Sequence, residues 1–466
     1  MKVNKINRKL IKPHSPTPQN LKNYYISFVD KHMGPMNFAV VLFYDSKPQK
    51  YNLQLEESLS KTLVHFYPLA GRYIKNDHYV DCNDEGVEFI EAEALDVELI
   101  DLVAKIDTDQ LNDLLPDQYF RIYEASHDPI MSIQATHFPC NGLAIAISVS
   151  HRVFDASSLE TFIASWSNAN NPDHNTVGLT ITPSFHLPSL LPYKDHDFGV
   201  SSDQFSTEED YTIIVKRFVF NEEALTRLRS KIKPISTNGY TISRVRVVCA
   251  VITKAMINLD RAKHSISRDF VITQPINMRE RTIPPQPKHA CGNFSIPSLT
   301  RCVAAEEAKE IGIQELVDVI GEDVRNCIAD YAEIVSPDRD GRDTIIKTIN
   351  LIKEAWMLGK HVVIFSDWSK FGFYKADFGF GKPIWTSIGP QRRFSGTTLL
   401  MSDREGDGIE AWVHLNQDDM HLFEQDEGPM GHGCKNRSRR QPRRSAAWTR
   451  SEYGEIGCFG RADANI

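Results

Sequence analysis

The stretch "AIAISVSHRVFDASSLETF", Ala144 to Phe162, decides how this chain is read. The residues from Leu143 to Ser150 are almost all small or aliphatic, the pattern of a strand buried on both faces. Ser157 and Glu160 spell S-x-x-E just ahead of "LETFIASW", which predicts a helix opened by a capping box. His151 therefore falls in a short, stiff connection between two packed elements. A general base needs such support to hold a proton-transfer geometry. Imidazole, with an unperturbed pKa of about 6.5, suits the removal of a proton from a hydroxyl near neutral pH. Asp155 has three open readings: orienting the imidazole as the acid of a triad does, bracing the loop through a cation, or capping the helix. The competing reading of His151 is a satisfied buried histidine, because H-x-x-x-D alone recurs by chance.

Working outward, "IMSIQATHFPCNGLAIAISVS" reads as two strands around Asn141-Gly142, a strong hairpin signal. "LEESLSKTLVHFYPLAGRY" places Leu59, Leu63 and Phe66 at helical spacing, closed by Pro68 and Gly71. "YTIIVKRFVF" is a strand, and "NEEALTRLRSKI" is a helix that Asn221 caps. Leu316, Ile320, Val324, Ile328 and Tyr331 form one stripe of a longer helix. Strands and helices alternate without a regular βαβ rhythm, so mixed sheets are expected. The chain divides into an N-terminal domain at 1–167, a crossover at 168–209 rich in Asn, Pro, Ser and Asp, and a C-terminal domain at 210–427. Residues 428–466 are a basic segment with almost no aliphatic residues, expected to be disordered or foreign.

Composition narrows the function classes. Hydrophobic content of 41% with 24% charged residues is that of a soluble globular protein. The longest apolar run, "FAVVLFY" at Phe38 to Tyr44, falls far short of the ~20 residues of a membrane span. The N-terminus lacks the apolar core of a signal peptide. Eight cysteines without a CxxC pair argue for reduced thiols in a cytoplasmic setting and against a zinc site. Of the net charge of −8, the segment from Gly428 holds eight Lys and Arg against three Asp and Glu, a net of +5, which leaves −13 on the body. So acidic a body is a poor nucleic-acid binder. "KNRSRRQPRR" in the tail is a separate basic patch.

Three further stretches bear on His151. "YKADFGFGKPIW", Tyr374 to Trp385, sets Asp377 before Gly379 and Gly381; "FYPLAGR" closes the early helix; "QPINMRERTIPP" holds N-x-R at Asn277 to Arg279. A kinase reading of "DFG" lacks its glycine loop, its lysine strand and its catalytic loop. With "SVSHRVFDASSLETF", these motifs resemble the plant BAHD acyl-CoA-dependent acyltransferases, marked by H-x-x-x-D near the middle and D-F-G-W-G near the end. The resemblance runs from about Lys12 to about Glu427, and "CNDEGVEFIEA" and "GDGIEAWV" are most similar to its alkaloid-acylating branch.

That resemblance implies a mixed α/β fold like chloramphenicol acetyltransferase: two domains of similar size, with mixed sheets flanked by helices and a channel between them. It implies that His151 is the general base and that Asp155 points away from the channel to pair with Arg279. Asp377 matches an aspartate often counted as essential, grouped here with His151 as catalytic, with Gly379 and Gly381 shaping its loop. Ser366, two residues before Trp368, matches a Ser/Thr position that helps to stabilise the oxyanion. The implied co-substrate is acyl-CoA, with acetyl-CoA the first choice, and the acceptor is an alkaloid or terpenoid alcohol. A monomer is expected, with no metal, no nucleic acid and no membrane partner.

Two departures stand out. Phe380 replaces the motif's usual Trp, losing an indole N–H donor, and the basic tail takes over at Gly428. They leave a rival reading: a weakly active or non-catalytic protein of the same fold that binds CoA or a small metabolite.

Overall fold

A computed structural model describes residues 1–34, 36–46, 51–105, 108–120, 127–170, 181–193, 212–233, 242–264, 268–336, 341–390 and 395–425. The expected tail at 428–466 lies outside the described residues. In chain order the strands are β1 (Val3–Ile11), β2 (Asn23–Tyr25), β3 (Asn37–Tyr44), β4 (Arg72–Ile74), β5 (Tyr79–Asp81), β6 (Val87–Ala94), β7 (Met131–His137) and β8 (Leu143–Ser150). They continue as β9 (Ile213–Phe220), β10 (Phe270–Asn277), β11 (Ser295–Leu299), β12 (His361–Asp367), β13 (Trp385–Ile388), β14 (Thr397–Ser402) and β15 (Ile409–Asn416).

Two six-stranded mixed sheets carry the molecule, ordered β1-β6-β7-β8-β3-β13 and β11-β10-β12-β14-β15-β9; β2, β5 and β4 form a small third sheet. The β7–β8 hairpin turns at Asn141, whose φ of 66° is the left-handed conformation that an Asn-Gly turn demands. β8 lies between β7 and β3, so seven of its eight residues are buried and only Ser150 reaches partial exposure. The helices Tyr51–Leu63 and Ala156–Asn170 pack together on this sheet. Trp166 Nε1 donates to the Leu55 carbonyl at 3.2 Å and to Ser58 Oγ at 3.1 Å. The first helix stops at Leu63, earlier than its apolar spacing suggests, and Phe66 leads instead into a 3₁₀ turn over Tyr67–Ala70 where Pro68 falls.

The second sheet is covered by the helices Arg244–Lys263 and Ile313–Tyr331; of the expected stripe, Val324 and Ile328 are half-buried, and Leu316, Ile320 and Tyr331 are buried. Each such side chain contributes ~1.5–3 kcal/mol relative to exposure. Asn221 accepts the Ala224 amide at 2.9 Å and caps its helix. The short closing helix Gln417–Glu424 buries Met420 and Phe423.

Sheet membership does not follow the division at residue 210. β13 belongs to the second half of the chain but pairs with β3, with Trp385 opposite Phe43 and their rings stacked at 4.9 Å. The reason is physical. Every residue of β3 is buried, so its outer backbone groups need a protein partner rather than water. A separate apolar cluster joins the halves, with Phe28 and Leu191 packed among Ile276, Phe294 and Tyr331. The junction it closes is where β8 ends.

Candidate active site

His151 is the first residue beyond β8. Its amide donates to the Met36 carbonyl at 2.8 Å, which continues the β3–β8 pairing by one step and fixes where the side chain emerges. The helix that follows begins at Ala156, and Asp155 is its cap: Asp155 Oδ1 accepts the Ser158 amide at 2.9 Å, and its carbonyl accepts the Leu159 amide at 3.0 Å. This corrects the capping box expected at Ser157 and Glu160. Ser157 lies within the first turn, where its Oγ accepts from Asn277 Nδ2 at 3.3 Å.

Asp155 also performs the bracing role. Arg279 Nη1 reaches Oδ2 at 2.9 Å and Nη2 reaches Oδ1 at 3.1 Å, and both side chains are buried. Burial alone would raise the carboxyl, but the Arg279 charge and the hydrogen bonds from Arg279, Phe294 and Ser158 hold it below its ordinary value. No hydrogen bond joins Asp155 to the imidazole among the described residues. Of the open readings, capping and bracing describe its contacts; orienting the ring directly does not.

Three consecutive amides of the second half are taken up by side chains of the first. Gly292 N–H donates to Ser158 Oγ at 3.1 Å, Asn293 N–H to Asp30 Oδ1 at 2.7 Å, and Phe294 N–H to Asp155 Oδ2 at 3.1 Å. Gly292 has φ +124°, and a Cβ there would lie 3.3 Å from Leu187 and 3.4 Å from the Tyr24 hydroxyl, so this docking needs glycine.

The docked segment delivers Asn293 to the histidine. Asn293 Oδ1 lies 3.0 Å from His151 Nδ1, and its Nδ2 donates to the His151 carbonyl at 2.8 Å. Phe38 packs on the ring at 4.8 Å between centroids. His151 keeps partial solvent exposure. Burial lowers the imidazole pKa from its ordinary value, against the opposing pull of its own carbonyl, Asp155, Asn293 and Phe154. A neutral ring near pH 7 is the form that can accept a proton.

Ser366, on β12, stands across the same aromatic pair. Phe38 packs on Trp368 at 5.7 Å, and Trp368 Nε1 donates to Ser366 Oγ at 3.0 Å. With a lone pair so occupied, the half-buried hydroxyl keeps its own proton to donate. Asn293 and Asp30 were not legible as site residues. Ser27 and Asp30 do form a capping box, but nothing local tells that Asp30 also reaches Asn293. Among the described residues no group of three or more His, Cys, Asp or Glu is placed to hold a metal ion, and no helix is long and apolar enough to cross a membrane. The six described cysteines are free thiols.

Residues 1–430 match the Transferase family across both sheets and the site between them. The chain belongs to this family, the BAHD acyltransferases. It is an acyl-CoA-dependent O-acyltransferase. It is 56% identical to a pelargonidin 3-O-(6-caffeoylglucoside) 5-O-(6-O-malonylglucoside) 4'''-malonyltransferase of Salvia splendens, over 91% of this chain and 98% of that one. It is 33% identical to vinorine synthase of Rauvolfia serpentina, over 90% and 96%. The crystal structure of vinorine synthase superposes with a TM-score of 0.76 at 29% identity, covering 94% of this chain and all of that one. F. sporotrichioides TRI101, complexed with coenzyme A and T-2, shares the fold at a TM-score of 0.68 and 16% identity, over 88% and 98%. The expected two-domain mixed architecture is thus the BAHD fold.

In this BAHD chain the contacts of the D-F-G-F-G loop do not include the histidine among the described residues. Asp377 Oδ1 accepts the amides of Gly379 at 2.8 Å and Gly381 at 3.0 Å, a turn that both glycines enter with φ of 87° and 98°. Phe378 packs edge-on against Trp166 at 4.7 Å, and Phe380 against Tyr44 at 5.0 Å. The Tyr44 hydroxyl donates to the Ala376 carbonyl at 2.9 Å. Phe380 thus keeps an aromatic anchor where the family has Trp. The contacts of Asp377 are those of a turn builder, and none among the described residues supports the catalytic grouping with His151.

Proposed function

We propose that this acyltransferase moves a malonyl group from its CoA thioester to a hydroxyl of an anthocyanin-type glycoside. The identity of 56% over nearly the whole Salvia splendens malonyltransferase supports this reading of donor and acceptor. A second reading, acetyl transfer to an alkaloid or terpenoid alcohol, draws on the motif resemblance and on the relatives near 33% identity. The chemistry is common to both and rests on one observation: a partly exposed His151 at the end of β8 whose Nδ1 is engaged by Asn293.

His151 Nε2 takes the proton of the acceptor hydroxyl as that oxygen attacks the thioester carbonyl. Ser366 Oγ–H donates to the oxyanion that develops. The tetrahedral adduct expels CoA, and the imidazolium returns the proton to the departing thiolate. No covalent acyl-enzyme is involved, since neither Ser nor Cys sits in a nucleophile elbow.

Purified protein is assayed with malonyl-CoA and acetyl-CoA against anthocyanin glycosides and alkaloid alcohols, with products read by mass spectrometry. A malonyl ester of a glycoside is the expected product; acetyl esters alone would establish the second reading. His151→Ala is expected to lose about 10²–10⁴ in kcat. Retention of near-full turnover in that variant would overturn the base, and CoA binding without any product would favour the non-catalytic rival.

A further inference from the structure

The geometry points to Asn293, anchored by Asp30, as the positioning residue that holds His151 in the tautomer protonated at Nδ1. This rests on the reading of His151 as general base and deepens it.

A side-chain amide has one end that only accepts and one that only donates. The NH₂ end of Asn293 lies 2.7 Å from Asp30 Oδ1 and 2.8 Å from the His151 carbonyl, both acceptors. Turning the amide over would set its oxygen against a carboxylate and a carbonyl, replacing two hydrogen bonds with two repulsions. The oxygen must therefore face His151 Nδ1, at 3.0 Å. An oxygen there can only accept, so Nδ1 carries the ring's single hydrogen and Nε2 carries the lone pair. Asp30 is itself immobilised. Its Oδ2 accepts the Ser27 amide at 2.7 Å, its Oδ1 accepts the Asn293 amide at 2.7 Å, and the residue is fully buried.

A neutral amide suits this task better than a carboxylate. It selects the tautomer while stabilising the imidazolium less than a carboxylate would, so free base remains available near neutral pH. The charged groups facing His151 among the described residues are Asp155, offset by its Arg279 partner, and Asp30 beyond Asn293; from β3 the ring meets Phe38. Burial of the imidazole keeps it neutral at pH 7, where the choice of tautomer matters.

The full chain, with ¹⁵N-labelled histidine, tests this by imidazole NMR and by the pH dependence of kcat/KM. In the unsubstituted protein at pH 8, His151 is expected protonated at Nδ1; protonation at Nε2 alone overturns the inference without any variant. Asn293→Ala is expected to mix the tautomers and lower kcat about 10-fold or more, with KM little changed. Asn293→Asp places a carboxylate on Nδ1 and should move the acid limb of kcat/KM up by about one pH unit or more. Folded Asn293 variants that keep the original limb and tautomer would overturn the positioning role while an inactive His151→Ala leaves the base intact. An active His151→Ala removes the base reading itself.

Discussion

The Arg279 guanidinium grips both carboxylate oxygens of Asp155, and neither side chain is more than 3% exposed. Replacing one of those oxygens with an amide nitrogen sets a donor against a donor and leaves a buried cation short of its partner. Asp155→Asn is expected to cost about 3–5 kcal/mol of folding stability, measured by urea denaturation, with activity lost in step. The sign with pH follows from the lowered carboxyl. Its contribution is complete above the unfolded value of about 3.9 and disappears as pH falls through the lower folded value. The native protein should show this acid loss, and the Asn variant should lack it. A fully stable Asp155→Asn protein with only a shifted pH–rate profile would instead make Asp155 the orienter of the imidazole.

The Asp377 turn separates a structural carboxylate from a catalytic one. Asp377→Asn retains an oxygen for the amides of Gly379 and Gly381, whereas Asp377→Ala removes it. The Asn variant is expected to turn over at nearly the native rate, and the Ala variant to lose about 1–2 kcal/mol through the unmade turn. Equal and large losses of kcat in both, at unchanged melting temperature, would restore Asp377 to the chemistry.

What could be read in advance follows from the range of the forces involved. Strand β8, the Asn141-Gly142 turn and the position of His151 depend on neighbours in sequence, and each is legible there. The helix start departs from its local pattern because two caps overlap: Ser157 with Glu160 satisfies that pattern, but Asp155 meets Arg279 across the molecule. Pairing of β13 with β3 has no local signal, since it answers the need of a fully buried strand distant in sequence. Asn293 was invisible for the same reason. Its contacts with Asp30 and His151 span 263 and 142 residues and exist only once the halves have docked.

Ser366 is expected to act on rate rather than binding, because an oxyanion exists only in the transition state. Ser366→Ala should lower kcat by about 10² with KM nearly constant. Trp368 Nε1 loses its acceptor in this variant, a cost of about 1 kcal/mol in stability. Ser366→Thr keeps the hydroxyl and should restore much of the rate. Unchanged kcat in the Ala variant would remove Ser366 from the oxyanion site.

Asp30 links the site to stability with the opposite pH sense. Burial raises its carboxyl to about 6, outweighing the hydrogen bonds from Ser27 and Asn293 that pull it down. An unfolded aspartate titrates near 3.9, so between about pH 4 and pH 6 the unfolded chain releases a proton that the folded one retains. Stability from this group is therefore complete below about pH 4 and is lost as pH rises through 6, a swing of about 2–3 kcal/mol. Asp30→Asn has no such titration. The unfolding free energy of the native protein minus that of the variant should thus fall by this amount between pH 4 and pH 7. A difference that stays constant across the range would mean that the Asp30–Asn293 hydrogen bonds hold the carboxylate ionised, with burial the weaker effect.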